Sequence, residues 1–353
     1  MHKLSTLILL ASFASLSAQT PVSESKHLKN ITQMTFGGDN AEAYFSFDDK
    51  KLIFQSNNKA WGLDCDQIFS MDIAEAKAKG KDYRPPLIST GKGRTTCAYF
   101  LPKNQTIVYA STHAGDAACP APVDMAKSGG KYLWAIYPDF DIYVADLQGK
   151  IKKQLTKTNG YDAEATVSPK GDKIVFTSTR NGDLDLYIMD INGKHVKQIT
   201  TGLGYDGGAF FSPDGKKLVF RASRPQTEIE IKEYKELLAQ NLVAPTTMEL
   251  YTCNVDGSDL KQITHLGKAN WAPFYHPSGK KIIFASNHHA TKGYDFQLFM
   301  INDDGTNLEQ ITNQSLFNAF PMFSFDGKKL VFSSNRDNGG TRDTNVFIAE
   351  WVD

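Results

Sequence analysis

The strongest constraint on this chain is a hairpin that returns six times. Its fullest copy runs Ser212-Pro213-Asp214-Gly215-Lys216-Lys217-Leu218-Val219-Phe220. Pro213 presets φ for a turn, Asp214 can hydrogen-bond the backbone two residues on, and Gly215 takes the left-handed conformation that closes the hairpin. Leu218, Val219 and Phe220 then read as a short buried strand. The other copies run from Phe47 to Phe54, Pro102 to Tyr109, Pro169 to Phe176, Pro277 to Phe284 and Phe325 to Phe332. Repetition at this period means a solenoid, a propeller or an array.

Each repeat divides into four strands. Strand a precedes the turn, as in Ala209-Phe210-Phe211-Ser212, and strand b follows it. Strand c alternates, as in Asp185-Leu186-Tyr187-Ile188-Met189-Asp190. Strand d is short and ends in Ile/Leu-Thr, as at Ile199-Thr200, Ile263-Thr264 and Ile311-Thr312, with Ile88-Ser89 the weakest copy. After its apolar leader the chain opens on a strand d, Leu28 to Thr32, and it ends on a strand c, Val346 to Trp351. The first strand can therefore complete the last blade and hide an edge that would otherwise template aggregation. The expected fold is all-β, a six-bladed β-propeller of four-stranded blades.

Met1-His2-Lys3 followed by the apolar run Leu4 to Leu16 and then Ser17-Ala18 reads as an export signal over residues 1–18. Residues 19–353 are then one propeller domain, periplasmic or otherwise exported. The apolar run is too short for a membrane span, and none follows it. Lys+Arg and Asp+Glu both number 39, so no charge excess points to nucleic acid. In an oxidising compartment the four cysteines can pair. Cys253 falls in a strand, whereas Cys65, Cys97 and Cys119 read as loop residues, and one disulfide is expected among those three.

Two repeats carry insertions between strands b and c, at about 114–138 and 225–247. The first holds Tyr132, Trp134 and Tyr137. The second opens on the capping-box pattern Thr227-Glu228-Ile229-Glu230, with Ile231, Tyr234, Leu237 and Leu238 at helical spacing, and predicts a helix from about Glu228 to Gln240 packed on the propeller. Both insertions lie on the face of the b-to-c and d-to-a loops. Loops on a rigid scaffold are where function concentrates, so this is the expected working face.

Aligning the copies gives two columns on that face. The first follows strand b: Asn58, His113, Arg180, Arg224, His288 and Arg336. The second precedes strand a: Asn40, Thr95, Asp162, Asp206, Asn270 and Asn318, with Glu42 and Glu164 two residues on. A repeated column usually serves the repeat, here by pairing Arg with Asp between adjacent blades and capping strand ends. Residues that stand out from the columns are the better site candidates: His113, His288 with His289, Trp271, and Asp64 with Asp66 flanking Cys65.

The motif S-P-D-G-K-x-[LI]-x-F, then D-[IL]-Y-x-M-D, then K-Q-[IL]-T resembles the repeat of the TolB-type periplasmic propeller, within the wider group of WD40-like repeats. The resemblance implies a propeller and says little about function, because the same blade recurs in unrelated roles. TolB carries an α/β domain ahead of its propeller; here only a few residues separate the leader from the first strand, a departure from a Tol-Pal component.

Nucleophile-elbow, H-E-x-x-H, P-loop and EF-hand patterns are missing from the sequence, and no motif names a cofactor. Propeller lyases acting on uronic acid oligomers bind a metal through several histidines on one face, for which His113, His276, His288 and His289 are the counterparts here. The expected function is a non-catalytic exported propeller that holds an envelope protein or glycan on its loop-rich face. The alternative is a carbohydrate lyase or hydrolase using histidines and carboxylates at the channel mouth, and a further reading is a scaffold in a secretion or Tol-like machine.

Overall fold

The computed structural model describes residues 23–124 and 128–353. The leader read at residues 1–18 lies outside them. Six antiparallel sheets form a β-propeller. Their innermost strands are Asp39–Phe45, Thr95–Phe100, Asp162–Val167, Asp206–Phe211, Asn270–Tyr275 and Asn318–Phe323. Each touches the next, and the last touches the first, so the six enclose a central channel. In blade 6 the strand Leu28–Gln33 pairs with Asn345–Trp351, Leu28 opposite Trp351.

The hairpins supply the core. The triplets Leu52-Ile53-Phe54, Ile107-Val108-Tyr109, Ile174-Val175-Phe176, Leu218-Val219-Phe220, Ile282-Ile283-Phe284 and Leu330-Val331-Phe332 are all 0% exposed. Alternate residues of a strand point to opposite faces, so complete burial of three in a row means that every sheet is covered on both sides by its neighbours. Each such side chain contributes about 1.5–3 kcal/mol. Turn chemistry holds the register: Ser46, Ser212 and Ser324 each donate to the Asp two residues on, at 2.7 Å.

Blade 1 departs from the four-stranded expectation. Its sheet has three strands, and a single bridge, Phe69 to Leu87, stands where strand d would be. A helix, α1 (Ile73–Lys79), follows its third strand, started by Asp72, whose side chain accepts from the Glu75 amide at 3.0 Å. The second helix, α2 (Glu228–Leu238), begins with a complete capping box at Thr227 and Glu230. It buries Tyr234 and rests Leu238 on the core, while Ile229 stays exposed. Among the described residues no helix is long and apolar enough to cross a membrane.

Candidate functional site

All six innermost strands break register at the same place, between Ala41 and Tyr44, Thr96 and Tyr99, Ala163 and Thr166, Gly207 and Phe210, Trp271 and Phe274, and Ala319 and Met322. Each break contains one left-handed residue: Glu42, Cys97, Glu164, Gly208, Ala272 and Phe320, with φ between 47° and 60°. A bulge of this kind bends the strand and re-aims a side chain. Here all six positions border one cavity of about 690 Å³ at the centre of the ring. Below it, Tyr44, Tyr99, Phe210 and Phe274 meet ring to ring, with centroids 5.1–6.5 Å apart. That aromatic plug makes the cavity a pocket rather than a pore.

The pocket opens on the face of the b-to-c and d-to-a loops, where the first insertion lines it and the second braces the first. Trp134–Ala135 from the first pairs with Leu242–Val243 from the second, Lys131 bridges to Glu233 at 2.6 Å, and the Ile136 amide donates to Asn241 at 2.7 Å. Cys65 and Cys119 form a disulfide, Cα to Cα 5.9 Å, that ties the first insertion to the loop before the third strand of blade 1. Cys97 is not a loop residue as expected. It occupies the bulge of the blade 2 inner strand, buried with a free thiol.

The charged centre joins blades 3 and 4. Both oxygens of Glu164 are used: Oε1 accepts from the Tyr205 hydroxyl at 2.6 Å and from Arg221, and Oε2 from Thr177 and from the Gly208 amide, each at 2.8 Å. A Cβ on Gly208 would lie 1.9 Å from Arg221 Nη1, so the glycine is what lets the guanidinium reach through the bulge. Arg221 also lies 5.3 Å from the centre of the Trp134 ring and 5.0 Å from that of Tyr205. Burial opposes ionisation of Glu164, but the Arg221 charge and these hydrogen bonds outweigh it and hold the carboxyl below its usual value. Glu42 has no such partner. Its Oε2 is buried without a hydrogen bond, and burial pushes its carboxyl up to about 7, against a lowering contact from the Cys97 thiol.

The repeated columns do other work. Arg180 Nη2 donates to Asp162 at 2.9 Å, Arg224 pairs with Asp206, and Arg336 Nη2 donates to Asn318 at 2.9 Å. These pairs close within a blade, not between blades as expected, so no ring of free charge results. The second column does reach the preceding blade: Asn40 bonds the Thr344 carbonyl, Thr95 the Asp66 carbonyl and Asn270 the Met248 carbonyl. Arg180 and Arg224 also lie over Tyr187 and Tyr251, and Arg336 over Phe347. Arg336 is further engaged by buried Glu24, at 3.1 Å.

The two histidines singled out from the first column do the column's work. His113 packs on Tyr143 at 4.4 Å and its Nδ1 meets Ser111 at 2.8 Å; His288 packs on Phe299 at 4.5 Å and its Nδ1 meets Ser286 at 2.8 Å. Burial lowers the pKa of both, helped by Lys92 at His113 and by His289 at His288. Asn58 caps a short turn through the Ala60 amide. His276 sits by the opposite face, against Ser278 and Asp353, and exposed His289 lies 3.7 Å from Asp295. The four histidines are thus not brought together. Among the described residues no three His, Cys, Asp or Glu side chains converge as metal ligands. Asp64 is exposed beside the disulfide, and Asp66 pairs with Arg94 at 2.7 Å on the pocket rim.

Of the expected candidates, Trp271, Glu42, Glu164 and Asp66 border the pocket. Trp271 stacks on Phe296 at 4.3 Å and faces Trp134 at 5.1 Å. The sequence reading missed Arg221 and Tyr205. Arg221 had a signal, an arginine inside a core strand directly after Phe220; Tyr205 had none.

Comparison with known proteins agrees with the architecture. A family model described as the TolB beta propeller domain matches residues 137–236. No curated protein matches the chain. Among solved structures, a protein described as TolB from Agrobacterium tumefaciens aligns with a TM-score of 0.55 at 18% identity, over 90% of this chain and 91% of that one. TolB from Acinetobacter baumannii aligns at 0.52 and 18%, over 89% of this chain and 63% of that one. An oligogalacturonate lyase from Vibrio parahaemolyticus aligns at 0.50 and 12%, over 91% and 93%. At these identities the likeness is one of fold. The chain is a six-bladed β-propeller, and its residues 137–236 match the TolB beta propeller family model.

Proposed function

We propose that the protein is an exported, non-catalytic binding propeller that admits part of an envelope protein or glycan into the central pocket. The leader at residues 1–18 and the TolB-like fold support export to the periplasm. The observation that carries the reading is the contrast inside one pocket. Glu164 is saturated by four donors, whereas Glu42 keeps a buried carboxylate oxygen with no partner in the protein. Buried polar atoms are almost always satisfied, so an unsatisfied carboxylate oxygen bordering a pocket is open to a donor or charge from a ligand. The walls suit binding too: Tyr132, Trp134 and Trp271 offer large rings at low cost in side-chain entropy.

A photo-crosslinking residue in place of Tyr132, at the mouth, tests this in native envelopes. Controls replace Leu260 and Phe325, both exposed and both on the opposite face. A partner captured from 132 and not from the controls supports the reading; capture from the controls alone overturns it.

The catalytic alternative, a carbohydrate lyase or hydrolase, draws on one observation: Glu42 is raised while Glu164 is lowered, the divergence expected of an acid and base pair. The full hydrogen-bonding of Glu164 favours a structural role for it, because a base or nucleophile needs a free lone pair. Turnover of acidic or neutral oligosaccharides that vanishes in Glu42→Gln would install the enzyme reading in place of the binding one.

A further inference from the structure

The pocket offers a more specific reading than a binding face, and it rests on the proposal above. Its charges do not cancel. Arg221 is matched by Glu164 and Arg94 by Asp66. That leaves Glu42 at the floor and Asp39 at the rim, with Asp343 as a further negative neighbour of Asp39. Arg221 Nε also lacks a hydrogen-bond partner, but its charge is already answered by Glu164. Much of the rest of the pocket lining is apolar or aromatic, with Tyr44, Phe210, Phe320, Trp134 and Tyr132 among it.

A carboxylate with a free oxygen and no ion-pair partner of its own, at the end of an aromatic shaft, is complementary to a cation on an apolar stem. The stem packs on the rings, the rings' negative faces favour the approaching charge, and the cation meets the carboxylate away from water. We infer that the pocket floor at Glu42 is a binding site for an alkylammonium group, a lysine side chain presented by a partner protein. A carboxylate-bearing sugar would meet Glu42 and Asp39 with like charge, which disfavours a uronic acid ligand here.

The bulge is part of the device. At φ 53° the backbone of Glu42 re-aims a side chain that regular pleating would place differently. The corresponding residue of blade 2, Cys97, sets its thiol against the Glu42 carboxyl; in blade 4 Gly208 makes way for the Arg221 guanidinium, and in blade 5 Ala272 contributes only a methyl group to the wall. No other bulge residue of the six carries an uncompensated charge.

Isothermal titration of the full-length protein at pH 8 with N-acetyl-lysine methylamide tests the assignment. The norleucine and glutamate analogues of the same probe, and glucosamine, serve as comparisons. The lysine probe is expected to bind at least tenfold more tightly than the norleucine probe, and that preference is expected to disappear in Glu42→Gln. Glu42→Asp, which keeps the charge, should retain part of it, and thermal melting of both variants confirms that they fold. Equal binding of lysine and norleucine, tighter binding of glutamate, a lysine preference that survives Glu42→Gln, or no binding of any probe would each overturn the inference. Glucosamine binding without lysine binding would overturn the protein source. A partner captured at position 132 alongside a failed lysine titration would sink this inference and leave the binding reading standing.

Discussion

Two columns of six residues run around this propeller, and they obey opposite rules. At the ends of the b strands, Arg180, Arg224, Arg336, His113 and His288 differ in type, yet each packs on an aromatic ring of strand c. Four of those five also bond the strand-end serine two residues before them. Five of the six positions do nearly one job, and that job is to finish a blade, while the sixth, Asn58, caps a short turn. At the bulges of the inner strands the backbone is uniform and the side chains are not: Glu42, Cys97, Glu164, Gly208, Ala272 and Phe320. Conformation repeats there and chemistry diverges. Where a repeat protein varies the residue while keeping the geometry, the variation is free to serve a ligand; where it varies the residue while keeping the contact, the contact is structural.

The comparison breaks most readily at Arg221. Its removal leaves Glu164 buried without its counter-charge, and loss of one partner of a buried pair costs about 3–5 kcal/mol. Arg221→Ala is therefore expected to destabilise the protein more than any single change within either column, read as a lower midpoint in urea unfolding. A midpoint within error of the unchanged protein would show that the centre is not organised as described.

Glu42 gives a pH signature. Its pKa is about 7 in the folded protein against 4.5 for the free side chain. Between those values the unfolded chain releases its proton first, so folding stability falls as pH rises from about 4.5 to 7 and levels off above. The difference corresponds to on the order of 3 kcal/mol. Glu42→Gln should flatten that slope and raise stability at pH 8, measured by unfolding at a series of pH values. An unchanged slope would mean that Glu42 is solvated or paired.

Gly208→Ala sharpens the same point with one methyl group. The added Cβ meets Arg221 Nη1 and sits on a backbone at φ 60°, a combination expected to cost about 1–3 kcal/mol and to displace the guanidinium. Altered Trp fluorescence would report the movement beside Trp134. In the structural column the effects are smaller. His113→Ala removes a ring contact and one hydrogen bond, an expected loss of about 1 kcal/mol with ligand binding untouched. A binding defect in that variant would put the column back among the site candidates.

The fold was legible because its signals are local. Pro213, Asp214 and Gly215 specify a turn whatever surrounds them, and Leu218 to Phe220 declare a buried strand. Thr227 with Glu230 announced α2 in the same way. Asp72 with Glu75 carried a similar signal for α1, masked by the expectation of a fourth strand from the repeat. The site was only half legible. Glu42 and Glu164 stood out by position, but their left-handed backbone, and therefore their aim, depends on strand pairing that no short window contains. The Cys65–Cys119 disulfide and the ribbon of Trp134–Ala135 with Leu242–Val243 join segments far apart in sequence through two-residue contacts, too short to register as periodicity. A column position filled by His looks exceptional in sequence, although its ring does in packing what the guanidinium does elsewhere.

The account turns on which column meets the ligand. The direct measurement is the crosslinking yield from position 132 in two backgrounds, Glu42→Gln and His288→Gln, each checked for folding by its melting temperature. A yield that falls at least tenfold in Glu42→Gln and holds in His288→Gln is the predicted result. A yield that holds in Glu42→Gln and falls in His288→Gln would contradict the account.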